Sequence, residues 1–217
     1  MYFADHLPLT PPAPCRPQEV PGSLEAGALA TTAAFALGRE LTGRWRYGLI
    51  AVGLLVGIGP VASAFTVNEA RGLQPVLAAL DGGLSGFGER LGFWFWGPSR
   101  VIPRTINEFP LFSFLFADLH PHLIGLPITL LAMACATEIV LRRRLRLDVL
   151  ALSAFVIGTL AVNNTWDAPT YALLIGGALV GRAWRRHLRD GVARAGLAVA
   201  AAIGMALVTT AAGLLLF

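Results

Sequence analysis

Lysine is absent: all seventeen basic side chains among the 217 residues are arginine. Together with a high alanine and glycine content, that bias reflects GC-rich coding and not chemistry. Charge of either sign is scarce, at 14% of residues against about 25% in soluble domains. With 55% hydrophobic residues and a mean hydropathy of +0.65, this excludes an ordinary soluble domain and points to a polytopic membrane protein. There are only two cysteines. Cys15 lies in a proline-rich segment and Cys135 in an apolar run, where it reads as a small core residue. Their spacing matches neither a redox pair nor a cysteine metal site. No HExxH pattern occurs, and no nucleic-acid motif. The net charge of +4 sits in arginine clusters between apolar runs, where it reports membrane orientation. The N-terminus lacks the basic start and apolar centre of a cleavable signal peptide. The C-terminus, LVTTAAGLLLF, stops inside an apolar run. Both ends lead us to expect a fragment of a larger membrane protein.

The apolar runs predict an all-α fold, a polytopic transmembrane helix bundle of about six spans. They cover residues 24–37, 47–65, 123–141, 149–162, 168–184 and 195–217. A span needs about 20 apolar residues, so the first is short. In the second, Gly53, Gly57 and Gly59 leave a smooth face for close helix packing, and Pro60 predicts a kink. Residues 1–23 form a proline-rich extracytoplasmic segment that cannot be one continuous helix. Residues 24–217 form the transmembrane domain. Its long loop, residues 66–122, is expected to hold short interfacial helices.

The links between spans alternate in charge. The stretches 39–46, 142–148 and 182–194 are rich in arginine. The loop 66–122 is roughly charge-balanced, and NNTWDAP, residues 163–169, has no arginine. Short arginine-rich loops stay cytoplasmic. Six spans satisfy that rule at every link and put the N-terminus, the long loop and NNTWDAP on the outer face. Two polar stretches far apart in sequence then share one side of the membrane.

Residues 107–127, NEFPLFSFLFADLHPHLIGLP, carry the chemistry. Glu108 opens an apolar aromatic run, and Asp118, His120 and His122 close it. Ionisable groups at the mouth of an apolar segment are costly to bury and mark a functional site by default; the alternative is interfacial loop residues in headgroup water. Asp118, then Glu108, can serve as a general base or hold a divalent cation. His120 and His122 can bind phosphate, relay a proton or ligate a metal. Pro110 fits the first turn of a short helix, and Pro121 ends it but can start the next, with His120 near the cap. A helix start there would offer N–H groups to an anion. Arg100 and Arg104 can pair with a phosphate oxygen or with Glu108. Trp94 and Trp96, in the cluster FWFW, read first as interfacial anchors and second as a sugar-stacking platform. On the opposite loop, Asn164, Trp166 and Asp167 complete the candidate substrate-binding set. Asp167 also fits a helix cap.

NEFPLFSFLFADLHPHLIGLP, preceded by FWFWGPSRVIPRTINE and followed by NNTWDAPTY, resembles the YYY membrane protein family, a prokaryotic family of unknown function. The likeness runs from about residue 92 to 171. The namesake tyrosine motif is missing upstream unless Tyr2-Phe3 is its remnant. More distantly, ADLHPHLIGLP is similar to the Asp-x-His-Pro-Pro element of protein mannosyltransferases and related polyprenyl-phosphate sugar transferases. By position Asp118 matches the acid, His120 the histidine and Pro121 the first proline, while His122 stands in place of the second proline. That resemblance implies a GT-C type glycosyltransferase in the cell membrane, with a polyprenyl-phosphate-linked sugar as donor. A transporter or lipid-handling protein, and a non-catalytic scaffold, are the rival classes.

Overall fold

A computed structural model describes residues 19–66, 110, 113–114, 119–188 and 191–216. Among these the chain is all-helical, with six long helices. They are α1 (Glu19–Thr42), α2 (Trp45–Thr66), α3 (Pro121–Leu141), α4 (Leu147–Asn163), α5 (Asp167–His187) and α6 (Val192–Leu215). Two of them, α3 and α6, are long and apolar enough to cross a membrane. The described part of α2 and the whole of α4 are apolar but shorter. In α1, Glu25, Arg39 and Glu40 interrupt the apolar sequence, and Arg182, Arg185 and Arg186 do so in α5. An apolar helix can also be the buried core of a soluble protein, but only 17% of the α6 window is buried. Leu197, Leu207 and Val208 face outward from it. An apolar face of that extent is costly in water and favourable in lipid.

The helices start and stop where local chemistry requires. α1 begins at Glu19, five residues ahead of the predicted start, inside the proline-rich segment. Pro21 falls in its first turn, where the missing N–H would have no intrahelical partner anyway. Gly43, with φ +70, ends α1 and donates its N–H to the Arg39 carbonyl at 2.7 Å. A left-handed residue at that position suits glycine, which has no Cβ to clash. Helix α2 runs on through position 60, as membrane helices with proline can.

α3, α4 and α5 form the centre. Ile139 from α3, Val156, Ile157 and Leu160 from α4, and Ile175 and Leu179 from α5 make one buried cluster, with Ala132, Ala136, Ala178 and Ala202 as small fillers. Cys135 is buried in α3. Helix α6 packs on α4 and α5, and α1 joins the α1–α2 hairpin to α3. The hairpin closes through Gly38 and Gly48. A Cβ on Gly38 would lie 2.7 Å from the Tyr47 carbonyl oxygen, and one on Gly48 would lie 2.7 Å from that of Phe35. Gly53 and Gly57 have open space around them among the described residues, because α1 crosses α2 at its first turns. Gly59 lies among the residues of α2 whose side chains are not described.

Candidate functional site

The start of α3 and the α4–α5 loop meet at one end of the bundle. His120 is the N-cap of α3, in extended conformation, with Pro121 as the first helical residue. The His120 carbonyl accepts the N–H groups of Leu123 at 2.9 Å and Ile124 at 3.2 Å. This is the geometry that the His-Pro pair predicts: proline supplies a pre-set φ and no wasted donor. Asn163, the last residue of α4, donates its side-chain N–H to the Pro121 carbonyl at 2.8 Å. That bond ties two segments 42 positions apart. It reaches the remaining lone pair of a first-turn carbonyl and fixes the histidine segment against the asparagine loop.

Asp167 approaches the same turn. A Cβ on Gly125 would stand 3.0 Å from the Asn163 side-chain nitrogen and 3.7 Å from the Asp167 carboxylate. Glycine at 125 thus lets both polar groups come up to the α3 backbone. The Asp167 carboxylate accepts a hydrogen bond from the Asn164 side chain at 3.0 Å. Asp167 is not the cap of α5. Trp166 holds that position, without a side-chain cap bond, and Asp167 is the first residue of the helix. A carboxylate in a first turn is still favoured by the helix dipole. His120 and His122 are exposed, and Trp166 stands 86% exposed. This end is accordingly an exposed shelf carrying two imidazoles, two amides, a carboxylate and an indole.

Several candidate residues fall elsewhere. Asp118, Glu108, Arg100, Arg104, Trp94 and Trp96 lie outside the described residues. The described residues contain no group of three histidine, cysteine or carboxylate side chains arranged to hold a metal ion.

The opposite end of the bundle collects arginine. Arg182 is 7% exposed. It donates to the carbonyl of Ile139 at 2.6 Å, to that of Arg143 at 2.9 Å, and to that of Arg142. Arg185 donates to the Val140 carbonyl at 3.3 Å and Arg186 to that of Arg142 at 3.1 Å. The last carbonyls of a helix have no intrahelical partner and carry partial negative charge. The α5 arginines supply both the donors and the charge. Helices α3 and α5 therefore run parallel, joined by the amide and carboxylate shelf at their starts and by the guanidinium clamp at their ends. From Asp167 to Arg182 is about 23 Å along α5, so the two ends are well separated.

The sequence reading placed Arg182 in a cytoplasmic link and missed its burial. A signal was present. Ala168, Ile175 and Arg182 recur every seven residues, and Ala178 and Leu179 precede Arg182 by four and three. That spacing puts all five on one helix face, and all five are buried.

Residues 26–217 match the family described as "Uncharacterized membrane protein (DUF2298)". The chain belongs to that family. No curated protein and no solved structure matches it. Membership in DUF2298 agrees with the membrane class read from composition and with the outward apolar face of α6. It also makes the lipid bilayer the medium of the protein.

Proposed function

We propose that this DUF2298 chain is part of a multi-pass cell-membrane enzyme that transfers a sugar from a polyprenyl-phosphate donor at the extracytoplasmic face. The observation that carries the reading is the 2.8 Å bond from Asn163 to the Pro121 carbonyl. It ties Pro121, between His120 and His122, to the start of NNTWDAP, at the end opposite the arginine clamp. In the proposed reaction Asp118 acts as the base that activates the acceptor hydroxyl, or as the acid that holds a divalent cation. His120 and His122, with Arg100 and Arg104, bind donor phosphate. Glu108 is the second acid. Asn164 and Asp167 line the acceptor side, and Trp94, Trp96 and Trp166 stack on sugar or lipid.

Six crossings, with the arginine links inside, make this site extracytoplasmic. Cysteine labelling in intact cells checks that topology. In a chain otherwise cleared of cysteine, Thr165→Cys should react with an impermeant maleimide from outside. Arg144→Cys should react only after permeabilisation. Labelling of both positions from one side rules the arrangement out.

The chemical proposal is tested with Asp118→Asn in the full-length protein. Positioned acid–base groups contribute 10²- to 10⁴-fold. The variant should lower the rate of sugar transfer from a polyprenyl-phosphate sugar by about a hundredfold, with membrane levels of protein unchanged. Wild-type glycolipid output from the variant removes Asp118 from the mechanism. Proton- or ion-driven uptake in proteoliposomes, without transfer, would assign the same site to a transporter.

A further inference from the structure

The arginine end has more capacity than the α3 clamp uses. Among the described residues of the α3–α4 link and the end of α5, seven arginines, at positions 142, 143, 144, 146, 182, 185 and 186, stand against two carboxylates, Glu138 and Asp148. The excess of five positive charges exceeds the +4 of the whole chain. Glu138 pairs with Arg142 at 2.8 Å, and Asp148 pairs with Arg146. Both carboxylates are thus engaged, and neither offsets Arg143 or Arg144. The guanidinium groups of those two bond no other described residue, and both residues are exposed. Arg185 and Arg186 reach over to the α3 carbonyls with one nitrogen each, which fuses two basic segments into one patch. A shallow groove runs through it, lined by Glu138, Ile139, Arg142, Arg144, Leu145 and Arg146 among others.

The rim of this patch is apolar. Leu141, Leu147, Trp184 and Leu188 are exposed around it. Leu141 is the last residue of a helix of membrane-spanning length and hydropathy. The cations therefore begin where the apolar span stops, which is the level of lipid headgroups. A soluble anion would have no use for the apolar rim, whereas a lipid fills both parts, phosphate on guanidinium and glycerol or acyl carbon on leucine.

We propose that the patch formed by the α3–α4 link and the end of α5 is a binding site for the phosphate headgroup of an anionic phospholipid. The site rests on the reading that α3 leaves the bilayer at Leu141. Basic pockets between spans bind such headgroups, and each arginine near the surface contributes about fivefold in affinity. Arg143 and Arg144 provide the main contacts because, among the described residues, their guanidinium groups bond no partner.

The test is lipid retention by the full chain in nanodiscs or by native mass spectrometry, comparing phosphatidylglycerol with phosphatidylcholine. Wild-type protein should retain phosphatidylglycerol in preference by at least tenfold. Arg143→Gln combined with Arg144→Gln should bind it roughly 30-fold more weakly. The wild-type preference should also fall steeply between 0.1 and 0.5 M salt (roughly, from the shortening of the screening length), a measurement that holds even if the double variant fails to fold. Equal retention of the two lipids, an unchanged double variant, or insensitivity to salt overturns the proposal. Displacement by millimolar inorganic phosphate (order of magnitude) also overturns it, in favour of a soluble anion. Correct labelling of Arg144→Cys together with no lipid preference sinks the lipid site alone. Labelling on the wrong face sinks the topology instead.

Discussion

Arg182→Leu should destabilise the protein by about 3 kcal/mol, read as earlier thermal or SDS-induced unfolding in micelles. The side chain lies on the buried face of α5 and makes three charge-assisted bonds to the end of α3. Such bonds are worth about 1.5–3 kcal/mol each, but their sum overstates the effect. Removing the guanidinium also removes the cost of desolvating it. The carbonyls of Arg142 and Arg143 belong to exposed residues and can turn to water. The Ile139 carbonyl cannot, because its surroundings are buried. What is left is one orphaned acceptor, an uncompensated helix end and the loss of the α3–α5 tie. Arg182→Lys should recover only part of the loss, since an ammonium lacks the planar fork that reaches several carbonyls at once. Arg186→Leu, exposed and making one bond at 3.1 Å, should change stability by no more than about 0.5 kcal/mol. Equal stability of wild type and Arg182→Leu would show that the clamp is not what joins the two helices.

The contrast between Arg182 and Arg186 shows what was legible in the sequence. Apolar runs bounded by arginine gave six helices, because run length and flanking charge are local properties. His120-Pro121 gave the start of α3, because proline at a first helical position restricts the chain through its own geometry. Which arginine turns inward is a tertiary matter. It needed the seven-residue spacing from Ala168 and Ile175, and charge type masked that signal. The place where α1 and α2 cross was likewise not legible. Glycines at 53, 57 and 59 have the right composition for close packing, but Gly38 and Gly48 sit at the crossing. Composition marks where backbones can approach, and helix phase decides where they do.

The same distinction applies at the candidate site. That His120 and NNTWDAP share a side followed from the alternation of charged links, a one-dimensional count. That Asn163, not Asp167, makes the bond to α3 did not follow from it. Asparagine was needed there as a donor, because the Pro121 carbonyl is an acceptor and a carboxylate can only accept. Asp167 instead takes its bond from Asn164. The two asparagines thus divide the work of holding the loop, one facing α3 and one facing the acid.

The second large effect is expected at Gly213 in α6. Gly213→Ala should cost about 2–3 kcal/mol in the same unfolding assay, although alanine is the better helix former by about 1 kcal/mol. A Cβ built on Gly213 would fall on the Ala154 carbonyl oxygen, and would lie 3.1 Å from the Ala154 carbonyl carbon and 3.2 Å from the Gly158 nitrogen. These are backbone atoms of α4, so no side chain can rotate away and the helices must separate. Separation would open the buried contacts of Ala154, Gly158 and Thr209. Gly204 lies on the same helix with nothing within 4 Å of its Cβ position. Gly204→Ala should therefore be neutral or stabilise by about 0.5–1 kcal/mol through helix propensity alone. The sign of the difference decides the matter. If both variants gain stability, α4 and α6 do not touch at Gly213, and the outward apolar face of α6 would have to be redrawn.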